Sequence, residues 1–483
     1  MSELNLKDYK ISDTITAIAT SPSKAALGVI KISGRKSLSI LDKIFTPKVK
    51  KNIKKAKTFT LHYGWIIKSP KSPPTPRLRR TSKVQSPKSE EIVDEVLVSI
   101  MRAPHSYTTE DVVEISSHGG VLVLNQIVEL ILKQGARLAK PGEFSYRALI
   151  NGRIDLLQAE AILKLVEAKT PEAVSLSSKQ LKGENSTKLE SLKKELKSLF
   201  TQTESAINFP GEDIEFDKTD LEKRLDKAMK KIDSFKESQG PAEMLTQGLR
   251  CVICGRSNAG KSTLFNRILR QERVIVSQIP GTTRDVVEET INVEGVPIKI
   301  YDTAGILEPA DFIAKKALQK TNQVFAEADL AILLFDGSKK LNKDDKFLLD
   351  KTKNKNTILV INKSDLCQKL NLSEKIKKQH KIIKMSALKD DDLKRFEKLI
   401  YKSVYTKPID KKDLIFLNQY QKKELDNLAK NLSKAKKYLK EGYTLDFINF
   451  SLKDCLDSIG KITGEVVAEE ILENIFSNFC IGK

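Results

Sequence analysis

Cysteine is scarce in this 483-residue sequence, aromatic residues make up only 6% of it, and long apolar runs are missing. Five cysteines, an odd number at irregular spacing, argue against a disulfide framework and for a reducing compartment. Cys251 and Cys254 do read C-x-x-C, but on a strand residues three apart face opposite sides, and no second pair exists to complete a zinc site. No apolar run approaches the ~18 residues that a membrane span needs. The N-terminus, MSELNLKDYKISD, has neither a signal-peptide apolar core nor an arginine-rich amphipathic presequence, so a cytoplasmic protein without a membrane partner is expected. There is no aromatic-studded RNA-binding signature of the sheet type. Residues 69–89, SPKSPPTPRLRRTSKVQSPKS, carry six basic residues and no acid. With five prolines besides, they cannot bury enough apolar surface to fold and read as a disordered basic insertion, whether solvated or touching RNA.

What is present is a 40% apolar chain, long enough for about two or three cores, with 84 Lys+Arg against 63 Asp+Glu. The net charge of +21 points to a polyanionic partner such as RNA, although lysines along helix faces at 222–236 and 421–440 account for part of it.

The most informative stretch is LRCVICGRSNAGKST, residues 249–263, an apolar strand followed by a glycine-bounded loop and a helix start. It matches the phosphate loop G-x-x-x-x-G-K-[ST] from Gly255 to Ser262. Glycines there turn backbone N–H groups inward around a β-phosphate, Lys261 adds a point charge, and the Ser262 hydroxyl is a magnesium ligand. Residues 357–365, TILVINKSD, end a second apolar strand in Asn362, Lys363, Ser364 and Asp365. Asp365 can accept from guanine N1–H and its amino group, and the Lys363 stem can lie over the ring, which selects guanine over adenine. Between them IKIYDTAG ends a strand in Asp302, Thr303, Ala304 and Gly305, where the aspartate suits magnesium through water and the Gly305 N–H suits a γ-phosphate.

Around this domain the period changes. Residues 13–34 read as two short strands, 37–45 as a helix, 58–67 and 91–101 as strands and 120–133 as a helix, which describes an α+β domain over 1–136. Leu189, Leu192, Leu196 and Leu199 keep helix-bundle spacing, a helix over 219–236 leads to a Gly240-Pro241 link, and Leu425, Leu428, Leu432 and Leu439 resume the pattern. A last amphipathic helix is expected over 465–479. The expected fold class is therefore α/β and α multidomain. A helical bundle made of 137–248 and 406–483 receives an inserted Ras-like GTP-binding domain at 249–405.

At this point the residues carry a family resemblance. GVIKISG (28–34), TTEDVVEISSHGG (108–120), RLAKPGEFSYRALINGRIDLLQAEAI (137–162), INFPGEDI (207–214), GRSNAGKSTLFN (255–266), IVSQIPGTTRDV (275–286) and the terminal FCIGK (479–483) are shared strings. Together with them the chain resembles the MnmE (TrmE) family of tRNA uridine-modifying GTPases over nearly its whole length. The resemblance implies a homodimer formed through the N-terminal domain. It implies work with the flavoprotein MnmG, and an aminomethyl or carboxymethylaminomethyl group placed on C5 of the wobble uridine of certain tRNAs. A 5-formyl- or methylene-tetrahydrofolate is the implied one-carbon source, with Lys31, Glu114, Arg153 and Lys483 at the folate positions. The family has arginine at the first and usually lysine at the third. Lys31 keeps the charge but lacks the planar fork that pairs bidentately with a carboxylate. Cys480 aligns with the family's terminal cysteine, either a reactive thiol or a buried small residue.

For the nucleotide, GTP or GDP, the resemblance implies contacts from Asn258, Ala259, Gly260, Lys261, Ser262 and Thr263, and from Ser277, Gln278, Ile279, Pro280, Gly281, Thr282 and Thr283. Asp302 to Gly305, Asn362 to Asp365, and Ser386, Ala387 and Leu388 complete the set. Ras-like proteins place a glutamine directly after D-T-A-G to orient water; here Ile306 stands there and cannot. The family uses potassium, implied at Asn258, Ser277, Ile279 and Thr282, with Thr283 joining Ser262 on magnesium and Arg284 matching a switch arginine needed for activity. One departure is evident: Ala314 aligns with the family's catalytic glutamate, and Leu307 with another usual arginine. Either turnover is slow, or Glu308 or Asp311 substitutes. A G-protein switch that binds RNA without covalent chemistry is the competing class.

Overall fold

The computed structural model describes residues 12–21, 23–49, 52–68, 91–209, 217–272, 288–302, 326–353, 355–404 and 414–483. The basic insertion expected at 69–89 lies outside them. The chain divides into two compact units, Met1–Leu163 with Asp457–Lys483, and Lys164–Leu456. Among the described residues no helix is long and apolar enough to cross a membrane.

The first unit is a seven-stranded sheet in the order β3-β4-β5-β6-β2-β1-β7, formed by Ile15–Ile18 (β1), Ala25–Ser33 (β2), Phe45–Pro47 (β3), Thr60–Ile67 (β4), Ile92–Met101 (β5), Val112–Gly119 (β6) and Arg137–Leu138 (β7). Only the β1–β7 pair is parallel. Alternation decides which side is covered: Ile30 and Ile32 of β2 join a core with Val113 and Ile115 of β6, while Lys31 and Glu114 point the other way. The core is closed by Ser37–Ile44 (α1) and Val121–Lys133 (α2), through Leu41, Ile44, Leu124, Ile127 and Ile131. Strands β1, β2, β4 and β5 and both helices stand within a few residues of the positions expected from sequence, and β3, β6 and β7 are additional to them.

Beside this sheet lies a charged network built by Glu143–Ile150 (α3). Arg147 is only 1% exposed, and its guanidinium donates to Asp13 Oδ1 (2.7 Å), Glu143 Oε1 (3.1 Å), Glu110 Oε1 (3.0 Å) and the Asp13 carbonyl (2.9 Å). Arg137 shares two of these acids, donating to Asp13 Oδ2 (2.6 Å) and Glu143 Oε2 (2.8 Å). Burial alone would raise the Asp13 carboxyl, but bonds from Arg137 and Arg147 outweigh it and hold it below its ordinary 3.8. The planar guanidinium fork makes this set possible where a lysine would not.

The chain end also belongs to this unit, although the sequence groups 457–483 with the second helical segment. Helix Glu469–Phe476 packs on α3, with Tyr146 and Phe476 edge to face, and Phe479 is buried. Gly482 has φ +93, and a Cβ on it would stand 2.9 Å from the Ala19 Cα, so the terminus lies flat on the β1 end.

The second unit holds a six-stranded sheet in the order β13-β12-β11-β8-β10-β9. Its strands are Leu249–Gly255 (β8), Glu288–Val293 (β9), Val296–Asp302 (β10), Leu330–Asp336 (β11), Thr357–Asn362 (β12) and Lys381–Lys384 (β13). All neighbours are parallel except β9 and β10. Near-continuous apolar runs such as LAILLFD suit strands covered on both faces. Cys251 and Cys254 fall in different clusters, one on each face, and burial raises the Cys251 thiol, as core packing requires.

In the helical part Leu189, Leu192, Leu196 and Leu199 are all buried, as are Leu425, Leu428 and Leu432; Leu439 is half-buried and Ala435 takes the inner place. One expectation fails: Gly240-Pro241 is no link, because helix Lys218–Gln247 (α4) runs through it. Ala242 and Leu245 beyond the proline are buried, and α4 packs against β10, so tertiary burial outweighs the lost helix bond.

Arg147→Ala should destabilise the first unit by about 3–5 kcal/mol, the cost of leaving buried carboxylates unpaired, read as a lowered melting transition. Because the Asp13 carboxyl is depressed in the folded state, its contribution is present above its ordinary 3.8 and is lost as pH falls through the folded value. Acid titration of wild type should show that loss, and the variant should show less of it.

Candidate functional site

The phosphate loop joins β8 to helix Lys261–Glu272 (α5). Asn258 takes the left-handed conformation at φ 63, Gly260 sits at φ +99, and Ala259 is buried between them. Lys261 is buried, and its Nζ donates to the carbonyls of Gly255 (2.9 Å) and Arg256 (3.0 Å), so its charge rests on dipoles of its own loop. Ser262 and Thr263 are exposed at the helix start, where unsatisfied N–H groups favour an anion. A loop that brings a lysine to the start of a helix fits a phosphate chain, and the exposed Ser262 hydroxyl fits a hard cation.

Strand β12 ends beside this loop. The Asn362 carboxamide donates to the Ala259 carbonyl (2.9 Å) and accepts from the Ala387 N–H (3.0 Å). Gly260 is needed here for space, since a Cβ would lie 2.2 Å from Asn362 Nδ2. Lys363, left-handed at φ 59, donates to the Asn258 carbonyl (2.9 Å) and to Asp336 Oδ2 (2.8 Å). Ser364 N–H donates to the Met385 carbonyl (3.1 Å), which brings in Ser386, Ala387 and Leu388. Asp365 is exposed, and bonds from Ser386 and from its own backbone hold its carboxyl below the usual range. It is an ionised acceptor open to a ligand. Asp302 closes β10 in register with Ile253, two residues before Gly255. Thr303, Ala304 and Gly305 lie outside the described residues. So do Ser277, Gln278, Ile279, Pro280, Gly281, Thr282, Thr283 and Arg284, and also Leu307, Glu308, Asp311 and Ala314.

A second cluster forms on the open face of the first unit's sheet. Lys31 and Glu114 are cross-strand partners, Nζ to Oε1 3.8 Å. Burial and then the charge of Lys31 lower the Lys483 ammonium, against a smaller opposite effect of Cys480, so the terminal lysine is within reach of the Lys31 charge. Cys480 is exposed, which removes the buried-residue reading, and its carbonyl accepts from Gly142 N–H (3.4 Å) and Lys483 N–H (3.3 Å). Arg153 is held by its N–H on the Ala148 carbonyl (2.8 Å). Its charge acts on Tyr107, a phenol raised by burial and hydrogen-bonded with Ser145 Oγ (2.8 Å). Lys31 thus pairs with Glu114 and acts by its charge on Lys483, while the Arg153 charge acts separately on Tyr107.

Residues 156–480 match the family model for the MnmE helical domain, and residues 14–153 match that for the GTP-binding protein TrmE N-terminus. A tRNA modification GTPase MnmE of Thermoanaerobacter pseudethanolicus is 40% identical over 477 residues, covering 98% of this chain and all of the relative. The MnmE of Clostridioides difficile is likewise 40% identical, with 98% of this chain and 100% of the relative covered. The chain belongs to the MnmE (TrmE) family of tRNA modification GTPases. Among solved structures, Era of Aquifex aeolicus bound to GDP and aluminium fluoride is 28% identical over 38% of this chain and 65% of its own, with a TM-score of 0.26.

Reading the MnmE-family motifs alone misses several residues. Asp336 and Gln368 bond Lys363, Ser338 bonds Asp336, and Tyr107, bonded with Ser145, feels the Arg153 charge. Only Asp336 leaves a signal, as the polar residue ending an apolar strand, as Asp302 does. Gly260→Ala should lower guanine-nucleotide affinity roughly ten- to hundred-fold, from the strained φ and the collision with Asn362, measured with a fluorescent GDP analogue.

Proposed function

We propose that this chain is a potassium-dependent GTPase that modifies C5 of the wobble uridine in certain tRNAs. It adds an aminomethyl or carboxymethylaminomethyl group, drawing a one-carbon unit from 5-formyl- or methylene-tetrahydrofolate and working with the flavoprotein MnmG. The observation that supports this reading is the terminal FCIGK folded back onto the β1 end, where a Cβ on Gly482 would meet Ala19; Cys480 is exposed, and Lys483 lies within reach of the charge of Lys31, which pairs with Glu114. A cationic pair beside one carboxylate suits a ligand with carboxylate and amide groups, as a folate has. Arg153 adds a cation, and Cys480 is the candidate thiol.

In the second unit Asp365 would accept from guanine and Lys363 would cover the ring. Lys261 and the loop N–H groups would hold the phosphates, with Ala259, Gly260 and Thr263 lining them and Ser386, Ala387 and Leu388 closing the base side. Ser262, with Thr283, would hold magnesium, and Asn258, with Ser277, Ile279 and Thr282, would hold potassium. Bound there, the cations neutralise charge developing on the phosphates, the role an arginine finger has elsewhere. Asp302 to Gly305, Gln278, Pro280, Gly281 and Arg284 complete the site. The domain partition proposed is 1–136, 137–248, 249–405 and 406–483, in a cytoplasmic homodimer whose substrate is tRNA.

Three measurements test the reading. Calorimetry should show 5-formyltetrahydrofolate binding that Arg153→Ala weakens, and a folded dimer that binds none would remove the chemical basis. GTP hydrolysis should be faster in potassium than in sodium at equal ionic strength; equal rates would exclude the Asn258 site. Ala314→Glu should speed single-turnover hydrolysis about ten- to ten-thousand-fold if Ala314 occupies the acid–base position, and no change would shift that role to Glu308 or Asp311.

A further inference from the structure

Asp336 closes β11 and is 1% exposed. Both of its carboxylate oxygens are used. Oδ1 accepts from the Ser338 N–H (3.0 Å) and hydroxyl (2.6 Å), and Oδ2 accepts from Lys363 Nζ (2.8 Å). The same ammonium donates to the Asn258 carbonyl at 2.9 Å, so one lysine spans from a strand end to the phosphate loop. The backbone around the pair is stitched as well: Gly337 N–H donates to the Asn362 carbonyl (2.9 Å) and Gln368 Nε2 to the Lys363 carbonyl (2.9 Å). The loop after Asp336 reaches the phosphate loop a second time, where Arg256 pairs with Asp345 (3.4 Å) just inside helix Lys343–Lys351.

A free lysine side chain has high rotamer entropy and a strongly hydrated charge. Here it is already fixed, on a backbone held at φ 59, which L residues adopt only at a cost. Burial by itself would raise the Asp336 carboxyl, but Lys363 and Ser338 hold it down at about 2, so it is ionised throughout the neutral range. The neutral Asn258 carbonyl alone is a weaker anchor than a desolvated carboxylate.

We propose that Asp336 is a positioning residue for guanine-nucleotide binding. Its buried carboxylate holds the Lys363 ammonium across Asn258 before the ligand arrives, which preorganises the lysine stem for the base and tethers the base-recognition strand to the phosphate loop. The inference rests on the reading of this unit as a guanine-nucleotide site. Preorganisation of this kind removes an ordering cost from binding and appears mainly in the dissociation rate.

The test uses the full-length protein and a fluorescent GDP analogue, with affinity, dissociation rate and melting temperature read on every variant. Asp336→Asn should raise Kd about tenfold, chiefly through faster dissociation, the size expected for losing one charge-assisted bond. Asp336→Glu should recover part of that loss. Lys363→Met should weaken binding by a similar factor, and the double variant Asp336→Asn with Lys363→Met should be no weaker than Lys363→Met alone, because the two act as one unit. A wild-type dissociation rate in Asp336→Asn would overturn the proposal. So would fully additive losses in the double variant with a lowered melting temperature, which would mark a structural role only. Failure of the wild type itself to bind the GDP analogue would instead sink the nucleotide reading beneath it.

Discussion

Asn362 presents a buried carboxamide to two loops at once, and the nucleotide site depends on it. Its nitrogen bonds the Ala259 carbonyl and its oxygen takes the Ala387 N–H, so the phosphate loop, strand β12 and the segment at 386–388 share one side chain. Buried amides of this kind must be fully satisfied or they destabilise the core, which makes the arrangement all-or-none. The requirement propagates backwards into sequence: Gly260 must lack a Cβ to let Asn362 in, and Asn258 and Lys363 must accept left-handed backbone. Parallel strands β8, β11 and β12, covered on both faces, supply the rigid edge from which these loops project.

The first unit solves a different problem. Its sheet buries one face beneath α1 and α2 and leaves the other open, with Lys31 and Glu114 on the open side. The shared string 137–162 carries Arg137, Glu143 and Arg147 for the buried network and Arg153 for the candidate folate cluster. Much of what looks like a binding signature in that string is therefore structural: Arg147 is spent on Asp13, Glu110 and Glu143. Arg153, six residues later and past the helix end, remains for other work.

The motifs and the apolar periods were legible in one dimension because they are local. Strand-loop-helix order, the N-K-x-D tetrapeptide and leucines at three-four spacing each need only neighbours in sequence, and the strands at 60–67 and 92–101 and the buried Leu189, Leu192, Leu196 and Leu199 stand where those patterns put them. The opposite-face reading of Cys251 and Cys254 followed from strand geometry in the same way. The helix through Gly240-Pro241 was not legible, since local propensity argues for a break there and only packing against β10 decides otherwise.

By itself, then, the chain's order of residues determined the class of nucleotide loop, the element types and the candidate residues at each site. It could not say that Cys480 is exposed or that the terminus returns to β1, because those residues are separated by hundreds of positions and meet only when Phe476 and Phe479 bury and Gly482 lies against Ala19. Nor could it say that Asp336 faces Lys363. Each strand-end polar residue looks alike in sequence, and which of them carries a partner depends on the sheet order β12-β11-β8 that sets their loops side by side. Tertiary structure decided these points because long-range pairing of charges is settled by burial, where an unpaired group is costly, and burial is a property of the folded sheet.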